Sequence, residues 1–101
     1  MTASGSSENN EVLEIACRLI EMASLTPDDA GCQDYIAAYL SELGFSTRNL
    51  PFADVKNLFA CRGESGPLFC FLGHTDVVPT GPESLWQSPP FKATLKDGYL
   101  Y

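Results

Sequence analysis

"LFCFLG", residues 68–73, is apolar at nearly every position and ends on a glycine followed at once by His74. An unbroken apolar run of this length, bounded by turn residues, reads as a strand covered on both faces. Such a strand demands layers on either side of it, so the rest of the sequence is read for what those layers are. Before Gly44 the apolar period is helical. Val12, Ile15, Ala16, Leu19, Ile20 and Ala23 make one stripe, with Glu14, Arg18 and Glu21 off it. "SLTPDDAGCQDYIAAYLSELGF" predicts a second helix, with Thr26, Pro27 and Asp29 as its capped first turn. Its buried face is Ile36, Tyr39, Leu40 and Leu43, and Gly44 is its left-handed stop. Asp28 and Asp29 are assigned to the dipole of that helix rather than to a metal.

After Gly44 the period becomes two. "FSTRNL" alternates until Pro51, "VKNLFACR" and "LFCFLG" follow as strands, and "GESGP" is the turn between them. "PTGPESLWQSPPF" is too rich in proline and glycine for regular structure and is expected as an ordered surface loop pinned by Trp86 and Phe91. "KATLKDGYLY" is a hairpin turning at Asp97-Gly98. The expected fold is α/β: two helices, then a mixed sheet, then a terminal hairpin. Residues 1–10 are small and polar and are expected as a flexible leader to a domain portion at 11–101. A chain that stops just inside a hairpin arm leaves backbone groups unpaired, which predicts a truncated domain.

Composition narrows the function classes. The chain has 45% hydrophobic and 19% charged residues, the balance of a globular protein. Its net charge of −7, with six basic residues scattered among thirteen acidic ones, argues against nucleic acid. No run approaches a membrane span, and no basic-then-apolar signal opens the chain, so a soluble cytoplasmic protein without membrane association is expected. Cys17, Cys32, Cys61 and Cys70 lack C-x-x-C spacing and are expected as small, mostly buried thiols in a reducing compartment.

His74, the single histidine, stands two residues before Asp76. In extended backbone positions i and i+2 share a face, so the two side chains lie together while Thr75 points away. Zinc takes one imidazole nitrogen, and the other commonly donates to a carboxylate that fixes the ring. The carboxyl end of a buried strand is also where α/β sheets place ligands. On spacing alone, the plainer assignment is a strand-end histidine bonded to its neighbour or to water.

Three stretches go further: "SLTPDDAGCQ", "LPFADVKNLFACRG" and "FLGHTDVVPTGPESLWQSPPFKATLKDGYLY". In them the chain, from about residue 11 to 101, resembles the N-terminal part of the succinyl-diaminopimelate desuccinylase family. That family belongs to the co-catalytic zinc aminoacylase and carboxypeptidase superfamily. The third stretch is the most specific, joining G-H-x-D to a tryptophan, a Pro-Pro-Phe and an Asp-Gly hairpin. The resemblance implies that His74 is a ligand of one of two zinc ions, for which cobalt can substitute. It makes Asp76 the catalytic aspartate orienting that histidine. It also implies a small-molecule substrate, N-succinyl-LL-diaminopimelate, hydrolysed to succinate and LL-diaminopimelate on the way to lysine and cell-wall precursors. The intact enzyme is implied to be a homodimer. The family's base glutamate and remaining ligands are expected beyond Tyr101, which makes these residues an inactive portion by themselves. Two other readings stay open: a sister aminoacylase or dipeptidase sharing G-H-x-D, and a non-catalytic α/β interaction module.

Overall fold

A computed structural model of the chain describes residues 7–101. The order is α1 (Ser7–Glu21), α2 (Cys32–Glu42), β1 (Ser46–Asn49), β2 (Leu58–Cys61), a short 3-10 turn (Glu83–Leu85), β3 (Leu95–Lys96) and β4 (Tyr99–Leu100). By contact these fall into two compact units, one built from Ser24–Val77 and one from α1 with Val78–Tyr101. The α/β character and the terminal hairpin follow the sequence reading. Both two-stranded sheets are antiparallel, and the parallel component is one isolated bridge, Leu25 to Val77.

In the first unit named, β1 and β2 pair from Ser46–Cys61 to Asn49–Leu58. Arg48 faces Phe59 in that register and lies 5.9 Å from its ring centroid, a cation–π contact across the strands. α2 packs on this hairpin. Its Cys32 is buried, and Ser24 is the other buried residue among those described. The helix begins later than the capped turn expected at Thr26. Its N-cap is Gly31, which has no side chain to offer. Asp29 does that work from two residues upstream, its Oδ2 accepting the Gln33 amide at 3.0 Å, while Asp28 Oδ1 accepts the Ala30 amide at 2.9 Å. Asp29 therefore serves the helix start, Asp28 serves the turn just before it, and Thr26 serves neither. Leu43, assigned to the buried face, is exposed, because it is the C-cap and has left the helical stripe.

The end of α2 is as the sequence predicts. Gly44 has φ +90°, its amide bonds Ser41 O and the Phe45 amide bonds Leu40 O, the paired closure of a Schellman motif. A Cβ at Gly44 would meet only the Arg62 guanidinium, Nε at 3.7 Å and Cζ at 3.9 Å, both ordinary contacts. Gly44→Ala is therefore expected to cost only the left-handed backbone penalty, about 1–2 kcal/mol, read as a lower urea midpoint at unchanged slope.

Residues 68–72 depart most from expectation. No strand is assigned to them, and Leu68, Phe69, Phe71 and Leu72 are exposed, Leu72 at 98%. A strand exists only through its ladder, and among the described residues none flanks this run. The Phe69 and Phe71 rings still meet edge-on at 5.0 Å, as i and i+2 do in extended backbone. "GESGP" accordingly leads from β2 into extended chain rather than into a paired strand, and Cys70 is exposed rather than buried. All four cysteines are free thiols.

In the other unit α1 starts at Ser7, so residues 7–10 of the expected leader are helical; residues 1–6 lie outside the described residues. Polar residues are ordinary in a first helical turn, which is why composition alone misplaced this boundary. Glu14, Arg18 and Glu21 are exposed, and the stripe is half-buried except for Val12 and for Ala23, which lies beyond the end of α1. The loop after Val78 is tied by Trp86, whose Nε1–H donates to Thr80 O at 3.0 Å. Asp97 (φ +54°) and Gly98 (φ +81°) make the tight turn of the β3–β4 hairpin.

Candidate functional site

His74 and Asp76 lie on the extended segment that closes the Ser24–Val77 unit. That segment is held by residues 24–26. Thr26 N–H donates to Val77 O at 3.0 Å, and Val77 N–H donates to Ser24 O at 2.9 Å. The buried Ser24 adds its hydroxyl, donated to Thr75 O at 2.8 Å. The serine and threonine hydroxyls thus reach two consecutive residues of the H-x-D segment.

The H-x-D geometry is that expected of i and i+2. His74 Nδ1 lies 3.1 Å from Asp76 Oδ1 and 3.0 Å from the Asp76 carbonyl oxygen. An ionised carboxylate and a carbonyl can only accept, so Nδ1 carries the proton. In the neutral ring Nε2 then holds the lone pair, and the His74 side chain is 81% exposed. This is the state in which imidazole binds a metal. The second carboxylate oxygen, Asp76 Oδ2, accepts the Thr26 hydroxyl at 2.5 Å. That bond is the main cause holding the Asp76 carboxyl below its ordinary value of 3.8. Partial desolvation opposes it, and the His74 contact adds to the lowering.

A cleft of about 150 Å³ lies beside His74 and Asp76, with Thr26, Asp29, Gln33, Lys56 and Asn57 among its walls. Gln33 is fixed there by its Nε2–H, donated to Lys56 O at 2.9 Å, and Lys56 Nζ is 3.6 Å from Asp34 Oδ2. Among the described residues no group of three or more His, Cys, Asp and Glu side chains is placed to hold a metal ion. A single imidazole nitrogen, braced from behind, is what this segment can offer to a cation. It fits one position of a zinc coordination sphere, an imidazole nitrogen whose partner nitrogen is held by a carboxylate being a donor that zinc takes.

Sequence reasoning brought His74 and Asp76 together and missed Ser24 and Thr26. The signal for them was present: two hydroxyl residues two apart, ending before Pro27, which holds its predecessor in extended backbone. Among the described residues no helix is long and apolar enough to cross a membrane.

No protein-family model matches the chain. Curated proteins do. A succinyl-diaminopimelate desuccinylase 2 of Alteromonas mediterranea is 52% identical over 93 residues, 92% of this chain and 25% of its own length. The succinyl-diaminopimelate desuccinylase of Methylobacillus flagellatus is 55% identical over 92 residues, 91% of this chain and 24% of its own. That of Halorhodospira halophila is 56% identical over 89 residues, covering 88% and 24%. The chain spans about a quarter of the length of the curated relatives it matches. Across about nine-tenths of its own length, more than half of the aligned residues are identical to those in about a quarter of each of these succinyl-diaminopimelate desuccinylases, and the similarity is to that portion of them.

Proposed function

We propose that these residues supply the His74–Asp76 part of a zinc-dependent amide hydrolase acting on N-succinyl-LL-diaminopimelate, with succinate and LL-diaminopimelate as products. The observation that carries this reading is the pair of acceptors around His74 Nδ1. His74 Nδ1 is committed to Asp76 by two acceptors at 3.0 and 3.1 Å, which leaves Nε2 as a metal donor. His74 would hold the metal and Asp76 would keep the imidazole oriented and basic. The metal, zinc with cobalt as substitute, would polarise the scissile amide carbonyl and bring the pKa of water toward about 7. One nitrogen does not complete a co-catalytic site, so the other donors and the general base come from polypeptide outside these 101 residues. A cytoplasmic homodimer working in diaminopimelate and lysine synthesis completes the proposal.

Assay of the gene product that carries these residues tests it. The expected result is hydrolysis of N-succinyl-LL-diaminopimelate at a kcat/KM well above that for N-acetylated amino acids or dipeptides. Preference for either alternative would move the assignment to a sister amidohydrolase. Loss of no activity on chelation would remove the metal from it.

A further inference from the structure

Thr26 does not cap α2, whose N-cap is Gly31, and its hydroxyl is donated elsewhere. We propose that Thr26 is a positioning residue of this site: its hydroxyl holds one oxygen of the Asp76 carboxylate so that the other receives the Nδ1–H of His74. The inference rests on the reading of His74 as a metal donor but concerns only how its lone pair is placed.

Two donors divide the carboxylate between them. Thr26 Oγ1 takes Oδ2 at 2.5 Å, and His74 Nδ1 takes Oδ1 at 3.1 Å. The Thr26 hydroxyl has a second acceptor nearby, Val77 O at 3.2 Å, but that oxygen already receives the Thr26 amide at 3.0 Å. The shorter contact to a charged acceptor takes the single hydroxyl proton. The terminal torsion of an aspartate is soft, and the Asp76 side chain is 46% exposed, so nothing in its own covalent geometry chooses which way the carboxylate faces. Threonine supplies what aspartate lacks. Its β-branched side chain is stiff at χ1. Its backbone is pinned through the Leu25–Val77 bridge to the residue next to Asp76. The hydroxyl is thus delivered from a fixed point, and Asp76 is oriented before any cation arrives.

The chain contains one histidine, so a 15N spectrum of the imidazole reports His74 alone. The metal-free 101-residue chain is measured at a pH where the ring is neutral, in the wild type, Thr26→Val, Thr26→Ser and Ser24→Ala. The expected result is a wild-type ring mainly protonated at Nδ1. In Thr26→Val the Nδ1–H to Nε2–H ratio falls about three- to tenfold, the range a net hydrogen bond of this kind supports. Thr26→Ser, which keeps the donor on a less constrained side chain, recovers most of the wild-type ratio, which a role in packing the threonine methyl would not allow. Ser24→Ala removes a hydroxyl from the same clamp without touching Asp76, and leaves the ratio unchanged. An unchanged ratio in Thr26→Val, a serine variant that behaves like valine, or an equal shift in Ser24→Ala each overturns the proposal. Should valine abolish the dispersed amide spectrum, Thr26→Cys replaces it, with a poorer donor near the volume of serine, and the same outcomes decide. None of these readouts involves bound metal or turnover, so failure here leaves the hydrolase reading to be judged by its own assay.

Discussion

If the proposed function holds, His74→Ala is expected to lower kcat/KM for N-succinyl-LL-diaminopimelate by more than about 100-fold in the gene product that carries these residues, beyond the loss typical of a residue that only braces a metal ligand. The substitution removes the one imidazole donor this segment presents, and among the described residues no group of three or more His, Cys, Asp and Glu side chains is placed to hold a metal ion. Water can enter a vacated coordination position, but it brings neither the basicity nor the fixed direction of an imidazole braced at Nδ1. Metal content measured beside the rate separates causes. A proportionate fall in both marks His74 as a ligand, whereas full metal content with a normal rate would remove it from the site. The same logic bounds what these residues do by themselves. The 101-residue chain is expected to bind zinc only weakly by calorimetry, since one imidazole leaves the remaining positions to water. Tight stoichiometric binding would contradict a single-donor segment.

Legibility in the sequence followed the range of the interaction that decides each feature. Gly44 and Asp97-Gly98 were readable because a positive φ is a local demand with few chemical solutions. The His74–Asp76 contact was readable for the same reason, being an i, i+2 relation in extended chain. Residues 68–72 were not. Their composition reports that both faces want cover, but a strand is assigned by its neighbours, and those are set by long-range pairing that composition does not contain. Thr26 lies between these cases. Thr-Pro before two aspartates is locally a good cap, and the local rule lost to Asp76, fifty residues along the chain. Only the tertiary bridge from Leu25 to Val77 makes that contact available.

Asp76→Ala is expected to lower metal affinity or kcat/KM by roughly 10–100-fold, as losses of a histidine's carboxylate partner do. The substitution leaves His74 in place and removes its orientation, so the ring keeps only the backbone acceptor of residue 76, at 3.0 Å, to hold its Nδ1 proton. That carbonyl is why the loss falls short of the one expected at His74 itself. The pH dependence of the wild type has a definite sign. The Thr26 hydroxyl holds the Asp76 carboxyl below its ordinary 3.8, so whatever the ionised carboxylate contributes to the fold is fully present above that value. It is lost only as pH falls through the lower folded value. The difference in stability between wild type and Asp76→Ala should therefore be constant through neutral pH and shrink only on the acid side of 3.8. An Asp76→Ala protein with wild-type metal affinity and rate would show that the carbonyl alone orients His74, and the carboxylate would have no part in the chemistry.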